Sequence, residues 1–409
     1  MATRVQIAFD LSLTQPINFF TLDDSTRGVL DNLTYVLGGD TLVDVTDDVM
    51  GVQIRRGRSQ QLERFTAGNA NVTLRNFGPS VRKYDPLNTA GPYYGSLVPR
   101  KQVVIDVDGT PLFTGSVADW GLQYDVSGQS LATPSCTDAF AIVANQTVTP
   151  GTQVAELTGT RVGKVLTDIG WPSTSRTIAA GQATLDADVI PDDTNALTYL
   201  SKVADVSEPG ALFIGKAGDF VFKSRDQLQG FVSPGVTFGT AGVPFTGIDV
   251  VYGTEELYNS VSVTYTAGTV VAGTAVASDA SSITAYGQFD KTYVTLLGSG
   301  TDAQAMADWQ TSVYSQPKYR INALTVALTG LSAAQITQVI GLELGDVVAV
   351  GWTPNDTGSA ISQYVTIDQI EHAIQPDFHS VTFTLSETTA AFILDDALFG
   401  VLDSNNLGF

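Results

Sequence analysis

The stretch VVIDVDGTPLFTG, Val103 to Gly115, decides how the first third of this 409-residue chain is read. Taken alone, the spacing of Asp106 and Asp108 before Gly-Thr fits phosphoryl transfer. Asp106 would be the nucleophile and Asp108 the general acid, with Mg²⁺ neutralising the charge between them. That chemistry needs the carboxyl end of a central parallel strand followed by a helical crossover. Here the chain continues as PLFTGSVADW, a second strand pattern. Asp-Gly between two apolar alternating runs is a strong hairpin signal, because both turn residues must adopt positive φ. Context therefore makes Asp108-Gly109 a turn between antiparallel strands.

Strand patterns extend to both sides. GVQIRRGRS and GNANVTLRN alternate apolar and polar residues with the period of a half-buried strand. RKYDPLNTAGPYYGSLVPRK, residues 82–101, is dense in Pro, Gly, Asn and Tyr and reads as a structured loop. Residues 1–135 are thus expected to form a β-rich domain. Helical signals begin near residue 137, where TDAFAIVANQ opens on a capping Thr-Asp. Thr160 is expected to cap a helix that buries Val162, Val165, Leu166 and Ile169 and stops at Gly170 and Pro172. A second helix is predicted from about Asn195 to Val206, with Leu197, Leu200 and Val203 on one face. ALFIGKAGDFVFKSR follows as two strands around a Gly-rich turn, which makes residues 136–235 a small α+β module. Strands dominate again over 236–385, interrupted by a helix near 302–314 that packs through Ala305, Trp309 and Val313. SAAQITQVIGLEL could supply a shorter helix. Residues 386–409 are apolar and acidic, and are expected to dock on their own domain or on a neighbouring subunit. The fold class is therefore mainly β with an inserted α+β module.

Hydrophobic residues make up 43% of the chain, enough for substantial cores, and charged residues only 15%. No apolar run is long enough to span a bilayer, and the N-terminus lacks the apolar core of a secretory signal. The single cysteine, Cys136, excludes an internal disulfide and reads as a small buried apolar residue. The net charge is −21, unevenly spread: eleven Lys and Arg face ten Asp and Glu up to residue 101, and ten face thirty-two afterwards. So acidic a chain does not hold nucleic acid through its phosphates. A surface that repels DNA would suit a passage through which DNA slides. Arg55, Arg56, Arg58, Arg64, Arg75, Arg82, Lys83, Arg100 and Lys101 cluster against only Glu63 and Asp85. The bland reading is a solvated strand face. On a chain whose remainder is acidic, the cluster also suits contacts between copies in a ring.

Other candidate sites dissolve on inspection. GALFIGKAG, Gly210 to Gly218, imitates a phosphate-binding loop, but Ala217 stands where Ser or Thr must hold Mg²⁺ and no helix follows. A hairpin is expected there. His372 and His379, the only histidines, flank QPDF. Metal coordination aided by Glu371 or Asp377 is one reading and a cross-strand pair the default. Asp47-Asp48, Asp192-Asp193 and Asp395-Asp396 read as turns or caps rather than catalytic dyads. No catalytic, cofactor-binding or metal-binding residue is assigned, and no cofactor is expected.

The run DVTDDVMGVQIRRGRSQQLERFTAGNANVTLRN, followed by YDPLNTAGPYYGSLVPRKQVVIDVDGTPLFTGSVADW, resembles minor tail proteins of long-tailed bacteriophages of actinobacteria. The Tyr93-Tyr94-Gly95 loop is the most specific part. TNALTYLSKVADVSEPGALFIGKAGDFVF, DAQAMADWQTSVYSQPKYRINALTV and IDQIEHAIQPDFHSVTFTLS continue the likeness in order, and it reaches FILDDALFGVLDSNNLGF. NFGPSVRKYDP departs from the pattern in being shorter and less charged. Such proteins are similar to baseplate hub proteins, with two β-barrel-like domains, inserted modules and three copies in a pseudo-sixfold ring. The resemblance implies a non-enzymatic virion protein of the tail tip, assembled in the host cytoplasm without membrane insertion. Its expected form is a trimeric hub that joins the tail tube to the tip, contacts the distal tail ring, tape measure and further tip proteins, and lets DNA pass. A hexameric distal tail ring is the alternative. A haloacid-dehalogenase-like phosphatase is the disfavoured alternative of another class.

Overall fold

The computed structural model describes residues 2–10, 25–26, 40–61, 63–78, 82–229, 234–268, 270–354, 358 and 360–388. The N-terminal region contributes β1 (Thr3–Asp10), β2 (Asp40–Asp44), β3 (Val49–Gly57), β4 (Thr66–Arg75), β5 (Gln102–Val107), β6 (Thr110–Gln123) and β7 (Leu131–Thr137). Asp108 (φ 48°) and Gly109 (φ 84°) close β5 onto β6 as expected. Two positive-φ residues match the right-handed twist of the strands they join.

The middle region holds α1 (Phe140–Val143), β8 (Gly151–Gln153), β9 (Glu156–Leu157), α2 (Thr158–Asp168), β10 (Arg176–Ile178), β11 (Thr184–Leu185), β12 (Asp188–Ile190) and α3 (Ala196–Ser201). A π-helical turn, Lys202–Ser207, extends α3 and leads into the hairpin β13 (Ala211–Ile214) and β14 (Phe220–Lys223), then α4 (Arg225–Gln229). Asn195 caps α3 by accepting from the Thr198 amide. Thr160 does not cap α2, which begins two residues earlier behind Leu157 without a side-chain cap. The Thr158 hydroxyl instead donates to Glu208 at 2.6 Å. Tertiary structure thus fixes that helix start, overriding the local capping signal.

The last region contains β15 (Thr237–Gly239), β16 (Gly247–Gly253), β17 (Ser260–Ala267), β18 (Val270–Ser278), α5 (Ala280–Tyr286), β19 (Asp290–Val294), α6 (Gly300–Tyr314), β20 (Lys318–Ala327), α7 (Ala333–Gly341), β21 (Val347–Trp352), β22 (Ile361–Gln375) and β23 (Phe378–Glu387). Helix α5 falls outside the expectations because it is short and rich in Ser and Thr. Asp279 starts it by accepting from the Ser281 and Ser282 amides. In α6, Trp309 and Val313 are buried as expected, but Ala303, Met306 and Ala307 carry the packing and Ala305 is half-exposed. Those three join Val261 and Val263 in a small core separate from the main one. Residues 389–409, most of the expected tail, lie outside the described residues.

One sheet runs through both β-rich regions. Eleven strands form its path, β16-β20-β23-β22-β3-β4-β7-β6-β5-β1-β2, and β15 and β21 pair off it. The join is β22 against β3, antiparallel, with Gln369 opposite Gly57 and Ile374 opposite Val52. Both strands are irregular there: register shifts fall between Arg55 and Gly57 against β4 and between Ile367 and Gln369 against β23. Gly57 (φ 119°) makes the crossing possible, because a Cβ would lie 2.1 Å from the Asp368 carbonyl oxygen. Positive φ adds strain for any side chain. Gly57→Ala should therefore lower unfolding free energy by about 3 kcal/mol or more, against less than about 1 kcal/mol for Gly51→Ala. At Gly51 the added Cβ meets only the Ile374 carbonyl oxygen at 3.6 Å. Urea denaturation of the two variants checks this.

Candidate functional site

The period-2 alternation that buries Val52 and Ile54 also turns Arg56 inward, where it is 4% exposed. Its guanidinium pairs with Glu343 in the loop after α7 and points at the carbonyls of Leu112 (3.4 Å) and Ile214 (3.5 Å). Glu343 also accepts from the Lys216 amide at 2.9 Å. The Lys216 ammonium donates to the carbonyls of Ile340, Gly341 and Leu342 at 3.0, 2.6 and 3.2 Å. These are the orphan acceptors at the negative end of α7. Burial pulls the Lys216 pKa down, and Glu343 opposes that shift. Lys223 adds bonds to the Leu344 carbonyl (2.9 Å) and Asp346 (3.1 Å). N-terminal strand, middle hairpin and C-terminal loop therefore meet through three cations, Arg56, Lys216 and Lys223, and two carboxylates, Glu343 and Asp346. The phosphate-loop lookalike around Lys216 is a plain hairpin, and its lysine caps a helix.

Most of the basic cluster is paired with carboxylates of its own chain. Arg55 pairs with Glu371 (3.2 Å), and Arg58 with Asp368 (2.7 Å) while lying over the Phe65 ring. Arg75 and Lys83 converge on Asp48, and Arg82 pairs with Asp85. Glu343, Asp368 and Glu371 come from about 300 residues away, so counting charges within a sequence window could not reveal them. The signal that Arg56 is buried was present in the alternation from Val52.

The remaining candidates are structural. Asp106 accepts from Arg4 Nε (2.9 Å) and the Gly109 amide (3.0 Å), and Asp108 from the Ala2 amide (3.0 Å). Together they fasten β1 to the β5–β6 turn. Asp48 is buried and accepts from the Tyr84 hydroxyl at 2.7 Å, whereas Asp192 and Asp193 lie exposed in a turn. Asp395 and Asp396 lie outside the described residues. Tyr93 stacks on Phe9 at 4.0 Å and on Tyr84 at 5.6 Å, which packs the 82–101 loop against β1. Cys136 is buried, and burial pushes its thiol up to about 12.

His372 Nδ1 lies 3.0 Å from His379 Nε2 across the β22–β23 hairpin, the expected cross-strand pair. Burial pulls both imidazoles down, His379 to about 4. Arg56 and Lys216 add to the effect at His372. Elsewhere Asp138 accepts from the Gly68 and Phe140 amides, and burial raises it to about 7.

No family model and no curated protein sequence matches the chain. Solved structures do. The 43 kDa tail protein of prophage MuSo2 from Shewanella oneidensis is similar at 14% identity and TM-score 0.56, covering 86% of this chain and 97% of its own. The tail protein from Neisseria meningitidis MC58 is similar at 13% identity and TM-score 0.56, with 86% and 94% covered. At such identities the likeness establishes a shared fold.

Two stability measurements test the geometry. Arg56→Met should lower unfolding free energy by about 3 kcal/mol by leaving Glu343 without its partner, whereas Arg55→Met, from a half-exposed pair, should cost less than about 1 kcal/mol. Chemical denaturation reads both. The pH dependence should expose two opposed groups. His379, lowered to about 4, stabilises fully above its free value of about 6.5 and loses that contribution as pH falls. Asp138, raised to about 7, binds its proton more tightly when folded, so its contribution grows as pH falls from about 7 toward 3.8. Each slope is about 1.4 kcal/mol per pH unit. Between pH 6.5 and 4, Asp138→Asn should make acidification more destabilising than in the parent chain, and His379→Gln should make it less so.

Proposed function

We propose that this chain is a structural protein of a phage tail, placed at the tail tip as a hub ring that joins the tube to the tip. The observation that carries this reading is the shared fold: two phage or bacterial tail proteins match over nearly their whole lengths. The architecture agrees with it. Two β-rich regions, residues 1–135 and 236–385, share one sheet through β3 and β22, and an α+β module, residues 136–235, is inserted between them. Three copies would present six β-rich, barrel-like segments and so match a sixfold tube to a threefold tip. In such a ring the net charge of −21 suits a lumen through which DNA passes without binding. The distal tail ring, tape measure and further tip proteins are the partners this position implies.

The phosphatase reading gains nothing from the geometry. Asp106 and Asp108 sit on an antiparallel hairpin, not at the carboxyl end of a parallel strand, and accept from backbone amides and Arg4. Counting the chain in intact particles by electron cryomicroscopy should find three copies at the tail tip. Six copies would assign it to the distal tail ring. Absence from the particle would overturn the structural role.

A further inference from the structure

A cleft of about 510 Å³ opens where the three regions meet, with Arg64, Lys202 and Lys291 on its walls beside Tyr293, Trp309 and Tyr314. The side chains of these three cations make no hydrogen bond or ion pair among the described residues; Lys291 Nζ lies over the Tyr258 ring at 5.0 Å and the Tyr293 ring at 5.9 Å. Of the other described cations, Arg100 alone shares that condition. In a chain of net charge −21, three cations without an ion pair among the described residues, gathered on an aromatic-walled cleft, mark a place suited to an acidic, partly apolar occupant. The carboxylates on the same walls are Glu63 and Asp205.

The described chain ends at the rim of this cleft. Thr366 and Ser386 line it, and the Thr388 hydroxyl lies 3.0 Å from that of Thr366. Gln61, also on the wall, donates to the Glu387 carbonyl at 3.1 Å. The sequence that follows, TAAFILDDALFGVLDSNNLGF, places Asp395, Asp396 and Asp403 among Phe392, Leu394, Leu398 and Phe399, and contains no Lys or Arg.

We propose that residues 389–409 seat in this cleft of their own chain, their carboxylates meeting Arg64, Lys202 and Lys291 and their apolar side chains the aromatic wall. Sign and apolar content match, and the tether starts at the rim. A tether this short gives an effective concentration on the order of millimolar, which favours the same copy over a neighbour.

Carbodiimide coupling of the full chain, which joins a carboxylate to a lysine amine in contact with it, tests the assignment by mass spectrometry of gel-separated bands. The single-copy band should contain Lys202 or Lys291 linked to Asp395, Asp396 or Asp403. The Lys202→Gln, Lys291→Gln double variant should lose those links and keep the Lys83–Asp48 link as an internal control. Coupling of these lysines only to carboxylates before residue 389 would overturn the proposal. So would links to the segment confined to bands of two or more copies, which would give the cleft to a neighbouring chain. Because the single-copy band is read separately, this outcome does not depend on the copy number of the ring.

Discussion

The Arg56 guanidinium is withdrawn from water where β3, the β13–β14 hairpin and the loop after α7 come within reach of one another. A buried cation without partners is unfavourable by several kcal/mol, and breaking such a pair leaves that penalty exposed. Compensation therefore requires Glu343 and the carbonyls of Leu112 and Ile214 to arrive together. Those groups belong to three stretches of chain separated by more than a hundred residues. A hydrophobic cluster of similar volume could bind them as tightly, but it would tolerate sliding. The fork of the guanidinium fixes position as well as proximity. The neighbouring seam obeys the same logic. Gly57 lets β22 approach β3, and Arg58 then reaches Asp368, so the bulged backbone and the ion pair depend on each other.

This arrangement changes what the composition means. A cluster of nine cations in fifty residues looks like a basic surface, yet six of them neutralise carboxylates of their own chain. The acidic excess is thereby left to the rest of the surface. In the proposed ring, it is this unpaired acid that would face passing DNA, and the hub would need no dedicated charged channel motif.

What was legible in the sequence follows the range of the interaction that fixes it. The Asp108-Gly109 turn, the helix start near Asn195 and the His372–His379 pairing depend on neighbours within a few residues, and they were readable. The start of α2 was not, because Thr158 answers to Glu208, fifty residues on, and leaves Thr160 inside the helix. The β3–β22 seam was invisible for the same reason on a larger scale: Gly57 and Gln369 carry no local mark of each other. Arg56 is the instructive case. Its inward phase was present in the Val52, Ile54 alternation, and only the habit of placing arginine outside hid it.

The π-helical turn at Lys202–Ser207 shows how these long-range constraints also shape the cleft. Such turns are uncommon and persist where surrounding structure holds them. Here the Ser207 hydroxyl donates to the Lys202 carbonyl at 2.8 Å and accepts from the Leu296 amide at 2.9 Å, which ties the turn to the segment after β19. On its other side Gly210 packs so closely that a Cβ would lie 2.7 Å from the Lys223 carbonyl oxygen. Lys223 in turn holds the loop after α7. The turn that brings Lys202 to the cleft is therefore clamped between the last region and the hairpin that meets Arg56. Loosening the Arg56 junction would then be felt at the cleft wall through β14, because the same hairpin supports both.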